Sequence, residues 1–259
     1  MSSMEIQGQL WGMASRDWAN LQESRMANVW GEMLELLNVR RGTTLADLGC
    51  GAGGASRLAA ERGASVYGLD ASPPMIEIAR EIVPDGEFRV GDLEDLPYSD
   101  GAFDAVLAAN SIQFAGDPRH ALGEVQRVCR PDGRVAVAVW GLPENCDARA
   151  MFEAVIGVLP ERPPGGGPFA LSMPGVLDEM FDQAGLRKTG EQVVPSAMSY
   201  EDMPTAWRAM RSAGPLQGAI RAVGEEPVHD AVVDALSQFQ RPDGRIELKN
   251  EFKVVTARV

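Results

Sequence analysis

Between residues 44 and 139, short apolar runs alternate with stretches of helical period, and no other feature narrows the possible folds as far. The runs at 44–48, 65–69, 87–90, 103–109 and 133–139 have the length and the Val, Leu and Ala content of buried strands. The stretches at 53–62, 73–82 and 118–129 repeat their apolar residues every three or four positions, as a helix with one buried face does. Glycine and proline mark the joints: Gly63 closes the first helical stretch, and Pro73-Pro74 opens the second. Strand–helix alternation at this pitch predicts an α/β fold, a parallel sheet covered by helices on both faces.

The flanks have a different rhythm. Residues 1–40 read as helical, with Trp11, Trp18, Leu21, Met26, Val29, Trp30 and Met33 at spacings of three and four. Beyond Trp140-Gly141 the pattern loosens. Residues 160–168 are rich in Pro and Gly and predict a loop. A helix is expected at 173–184, capped by Gly185, then a sixth strand at 186–195. Residues 200–240 read as helical with breaks near Gly214-Pro215 and Gly224, and 245–259 as a final strand. The expected organisation is therefore a helical cover at 1–40, a core at 41–199 and 243–259, and an inserted helical cap at 200–242.

Composition limits the partners. A formal charge of −13 over 259 residues repels phosphate backbones and acidic membrane surfaces, so nucleic acid and membrane insertion are not expected. No apolar run approaches the roughly 20 residues of a membrane span. The three cysteines, Cys50, Cys129 and Cys146, form no metal-ligand or disulfide pattern, which leads us to expect no metal and a reduced, cytoplasmic setting. A monomer and a homodimer are equally compatible with the sequence.

The chemistry gathers at strand ends. Gly49, Gly51 and Gly54 fit the G-x-G-x-x-G spacing after the first strand, with Cys50 inside the turn. Glycines there let backbone amides and a helix N-terminus approach a ligand. Asp70 closes the second strand, where an acid can accept ribose hydroxyls, and Ala71 follows it. Asp92 follows the third strand in Gly91-Asp92-Leu93, where a carboxylate can accept an adenine amine. Met75 is placed to lie against a ring face, and Asn110 and Ser111 follow the fourth strand. To this point a dinucleotide and S-adenosylmethionine both satisfy the pattern.

The segments 44–53, 68–79, 91–106 and 131–139 resemble consecutive motifs of the class I S-adenosylmethionine-dependent methyltransferases. The run from Gly91 to Asp104 and the stretch from Asn110 to Pro118 are similar to the ubiquinone/menaquinone-type branch and its small-molecule relatives. The resemblance covers roughly residues 40–140. It implies a Rossmann-like seven-stranded sheet in the order 3-2-1-4-5-7-6 with the last strand antiparallel. It implies that Asp47, Gly49 and Gly51 meet the methionyl part of S-adenosylmethionine, Asp70 the ribose, and Asp92 with Leu93 the adenine. Leading helices cover the cofactor in that family, which makes Trp11 and Trp18 candidates for lining the site.

The expected reaction is methylation of a small organic molecule at oxygen, nitrogen or carbon. Gln113, Phe114, Trp140, Phe169, Met173 and Trp207 are the candidates for lining the substrate. His120 reads as a first-turn surface residue, and His229 on the cap is a weak candidate for a general base. The alternatives are other chemistry with bound S-adenosylmethionine, methylation of a quinone ring, and a dinucleotide-dependent oxidoreductase.

Overall fold

The computed structural model describes residues 1–162 and 167–259. The loop expected over 160–168 therefore falls partly on residues 163–166, outside the described residues.

Seven strands form one sheet: β1 (Thr44–Leu48), β2 (Ser65–Asp70), β3 (Glu87–Val90), β4 (Phe103–Ala109), β5 (Cys129–Trp140), β6 (Arg187–Tyr200) and β7 (Ile246–Arg258). Their order is β3-β2-β1-β4-β5-β7-β6, as the family resemblance implied. The pairs among β3, β2, β1, β4 and β5 are parallel, and β7 runs antiparallel to both β5 and β6. Parallel pairing requires a crossover after each strand, and the right-handed strand–helix–strand connection supplies it. Helices α4 (Gly54–Glu61) and α5 (Pro73–Ile82) make the first two, and α6 (Pro118–Val128) links β4 to β5.

Both faces of the central strands are apolar because both are covered. Leu45, Ala105, Leu107, Ala136 and Ala138 face α3 (Ala27–Leu36), α4 and the C-terminal helices. Leu48, Val106, Ala108, Val135 and Val137 face α6 and α8 (Val176–Gln183). The second layer of the first face comes from α7 (Ala148–Val158) and from α9 (Met203–Arg211), α10 (Gly214–Val223) and α11 (Glu225–Ser237), which lie in sequence between β6 and β7. Phe252 of β7 is fully buried and stacks on Trp140 of β5, with ring centroids 4.7 Å apart.

Some boundaries differ from the sequence reading. Strand β6 runs on to Tyr200, because register with β7 holds it extended through Tyr200↔Ile246. Helix α7 was not anticipated, although Ala148, Met151 and Val155 carry its buried face. The N-terminal cover is helical throughout but not regular. After α1 (Ser3–Gly12) and the single turn α2 (Ser15–Asp17) come a π-helical turn at Trp18–Gln22 and a 3₁₀ turn at Glu23–Met26. Among the described residues, no helix is long and apolar enough to cross a membrane.

The stacked pair joins β5 to β7 at the centre of the larger core. Phe252→Ala should cost about 3–5 kcal/mol of stability, read by equilibrium urea denaturation; a loss below about 1 kcal/mol would show that the helical layer closes over the gap.

Candidate functional site

The parallel strands deliver their loops to one end of the sheet, the position where open α/β sheets bind ligands. The turn after β1 has Gly49, Gly51 and Gly53 at φ of 73°, 55° and 92°, values that exclude most side chains. Its path is fixed by Leu69, whose carbonyl oxygen accepts the amides of both Gly49 (2.7 Å) and Cys50 (3.0 Å). A Cβ on Gly49 would also stand 2.3 Å from Cβ of Ser111, whose hydroxyl donates to the Leu48 carbonyl at 2.6 Å. Asp70 Oδ2 accepts the Gly51 amide at 2.9 Å and Oδ1 the Ser72 amide at 2.9 Å. Each of these oxygens keeps a lone pair for a further donor.

These groups line a cleft of roughly 910 Å³, open to solvent. Asp47, Gly49, Cys50, Gly51, Asp70, Ala71, Met75, Gly91, Asp92, Leu93, Asn110 and Ser111 are among its walls, and Trp18 closes it from the N-terminal side. Trp11, Phe114, Met26 and Trp30 complete the apolar part. Asn110 adopts a left-handed φ of 57°, which turns the chain off β4 at the cleft edge. Asp92 has two attachments: Oδ1 accepts the Glu94 amide at 3.0 Å and the residue borders the cleft.

Sequence reasoning missed Glu23. The 3₁₀ turn carries it inward from the N-terminal cover, and its carboxylate accepts the Ala52 amide at 2.8 Å, on the glycine loop itself. It is 6% exposed, and burial pushes its pKa up to about 8, against the stabilising loop amides. Asp47 is pushed up to about 6, again chiefly by burial, and the Ser56 hydroxyl that donates to it at 2.7 Å opposes the shift. Asp70 is also raised by burial. No Lys, Arg or His lines the cleft, so these acids have no cationic partner there among the described residues. Nothing in local periodicity marks Glu23: its inward aim depends on two irregular turns.

A second, apolar chamber adjoins the first and shares Trp11, Trp18, Met26, Asn110 and Phe114 with it. The shared rings meet edge to face, Trp11 against Trp18 at 4.7 Å and against Phe114 at 5.4 Å. Trp140, Met151, Phe152, Met198, Met210 and Phe252 form its far walls.

Five expected positions lie elsewhere. Trp207 is buried inside the C-terminal helices against the ring of His229, 5.0 Å away, because its helix turns that face toward its neighbour α11. His229 is solvated, its Nδ1 lies 2.9 Å from Asp230 Oδ1, and it lines neither chamber, which removes it as a base. Met173 is 47% exposed and faces solvent just before α8. Gln113 is spent on holding the loop, donating to Asn110 Oδ1 at 2.5 Å. Phe169 stands behind the second chamber, against Trp140 and Phe152.

Residues 46–137 match the family model described as a methyltransferase domain. That stretch, from β1 into β5, resembles a methyltransferase domain and covers about a third of the chain. Over 123 residues it is 39% identical to a malonyl-acyl-carrier-protein O-methyltransferase of Salmonella typhimurium, covering 48% of this chain and 49% of that protein. Over 111 residues it is 32% identical to a demethylmenaquinone methyltransferase of Paenarthrobacter aurescens, covering 43% and 44%. The chain thus spans about half the length of these relatives. Among solved structures, the cyclase SpnF superposes with a TM-score of 0.57 at 21% identity, over 90% of this chain and 80% of that one. A geranyl diphosphate methyltransferase in complex with GPP and sinefungin gives 0.52 at 17%, over 89% and 77%. At such identities the agreement concerns the methyltransferase fold.

The raised acids make the ligand-free protein sensitive to pH. An unfolded glutamate ionises at a pKa of about 4.3, whereas Glu23 in the fold does so at about 8. Between those values the folded protein holds a proton the unfolded chain has released, so stability falls as pH rises. The thermal midpoint should therefore drop from pH 5 to pH 8, and Glu23→Gln should flatten the drop; equal slopes in both proteins would contradict the assignment.

Proposed function

We propose that the first cleft binds S-adenosylmethionine and that the protein methylates a small organic molecule. The observation that carries this reading is the acidic lining of the cleft: Glu23, Asp47, Asp70 and Asp92 border it, and among the described residues no cationic side chain does. A sulfonium with an α-ammonium group is a cationic ligand, so those carboxylates complement it. The donor set fits the rest of the molecule as well. Asp70 retains lone pairs toward the cleft for ribose hydroxyls, Asp92 and Leu93 stand where the adenine edge would lie, and Met75 is buried beneath that end. The family match and the methyltransferase names of the relatives support the same donor.

When bound, S-adenosylmethionine supplies an electrophilic methyl group. What this chain contributes is position and dryness. The glycine loop and Asp70 orient the ligand, Trp11, Trp18 and Phe114 exclude water from its reactive end, and the second chamber holds the acceptor in line. Positioning alone can account for roughly 7–11 kcal/mol of a barrier. The relatives' names offer two acceptor types, a carboxylate on a carrier protein and a quinol-like ring.

A dinucleotide-dependent oxidoreductase is the reading the cleft opposes. In such enzymes a pyrophosphate sits on the loop amides, and here a buried carboxylate already occupies the Ala52 amide. Other chemistry with the same bound ligand remains the second reading, since one fold hosts several reactions; product analysis for S-adenosylhomocysteine separates it.

Calorimetry should show S-adenosylmethionine binding and no competition from NAD. Asp70→Ala should weaken that binding at least tenfold, in keeping with about 1.5–3 kcal/mol for hydrogen bonds to a charged group. Wild-type protein that binds no S-adenosylmethionine would sink the proposal.

A further inference from the structure

The second chamber differs from the first in its chemistry. Its walls hold no Asp, Glu, Lys, Arg, His, Cys or Tyr among the described residues. The polar side chains reaching it are few and already engaged. Gln22, buried at 8% exposure, accepts from the Tyr200 hydroxyl at 2.6 Å and points its amide nitrogen at the Met198 sulfur, 3.6 Å away. Asn110 accepts from Gln113. The Trp11 indole donates to Gln7 at 3.2 Å. Everything else is aromatic, thioether or aliphatic, and Trp140 and Phe252 are stacked into a rigid floor.

Burying a charge against such walls is strongly unfavourable unless a partner travels with it. A carboxylate or phosphate placed there would find no guanidinium or ammonium, and a cationic amine no carboxylate. Methionine side chains from three elements, Met151 of α7, Met198 of β6 and Met210 of α9, make a wall that adapts to varied apolar outlines.

We infer that this chamber is the acceptor site and that it selects a neutral, predominantly apolar molecule, excluding acceptors that carry a carboxylate or phosphate near the reacting atom. The inference rests on the methyl-donor reading of the first cleft, from which the chamber is reached through the collar of Trp11, Trp18 and Phe114. It separates the two acceptor types above: a quinol-like or other uncharged ring fits, and a free carboxylate does not. Among the described residues, no side chain lining the chamber can take up a proton. The acceptor's reacting atom must be one that needs none removed by the protein, or one whose proton passes to water.

Matched probes test this by binding alone. Calorimetry in the presence of S-adenosylhomocysteine should show 2-naphthol binding at least tenfold more tightly than 2-naphthoate. Phe152→Asp should weaken naphthol at least tenfold and leave S-adenosylhomocysteine affinity within twofold, while Phe152→Leu keeps both. If circular dichroism shows Phe152→Asp misfolded, Met210→Lys takes its place with the same expectation. Naphthoate binding as well as naphthol, or no saturable naphthol binding, overturns the inference. Failure of S-adenosylhomocysteine to bind in the first place is a different result, and it counts against the methyl-donor reading instead.

Discussion

The carbonyl oxygen of Leu69 accepts the amides of Gly49 and Cys50, and the site is organised around that junction. It ties the turn after β1 to the end of β2, so the loop cannot swing without breaking the parallel pair. Asp70, the next residue, then returns a carboxylate to the Gly51 amide. Two consecutive residues of β2 thus hold three consecutive amides of the turn. Glycines are needed because the chain must pass through left-handed conformations while Ser111 stands against it.

From that junction the N-terminal cover acquires its place. Glu23 accepts the next amide, that of Ala52, and Trp30 lies over Gly54 so closely that a Cβ there would come within 2.5 Å of the ring. On the other side of the cleft α1 meets the loop after β2. A Cβ at Gly8 would stand 2.2 Å from the Ala71 carbonyl oxygen, so this helix approaches only because the residue is glycine. The cover therefore closes the cleft with backbone contact at one edge and a buried carboxylate at the other. Ionising that carboxylate is unfavourable because burial strips it of water and no cationic side chain lines the cleft among the described residues.

Much of this was legible in the sequence. Strand–helix alternation has a fixed period, and 73–82, 87–90 and 103–109 were read at the same bounds the structure has. The glycine spacing, Asp70 and Asp92 were legible because each follows a strand, and strand ends in a parallel sheet converge. Glu23 was not, because a π-helical turn followed by a 3₁₀ turn shifts the side-chain phase and no periodic reading predicts where it then points. Trp207 and His229 were misplaced for a related reason: a helical stripe shows which face is buried and says nothing about whether a cavity or another helix covers it.

The sequence by itself determined the class of sheet, the resemblance to methyltransferases and the strand-end residues that line the first cleft, since these follow from local period and from motifs carried on consecutive elements. Only the tertiary structure decided what stands in the second chamber. Met151, Met198, Met210 and Phe252 come from four elements spread over about a hundred residues, and only the pairing of β6 with β7, with the helices folded between them, brings their side chains to one wall. The absence of charge from that wall is a property of the assembled surface, and no stretch of the chain expresses it alone.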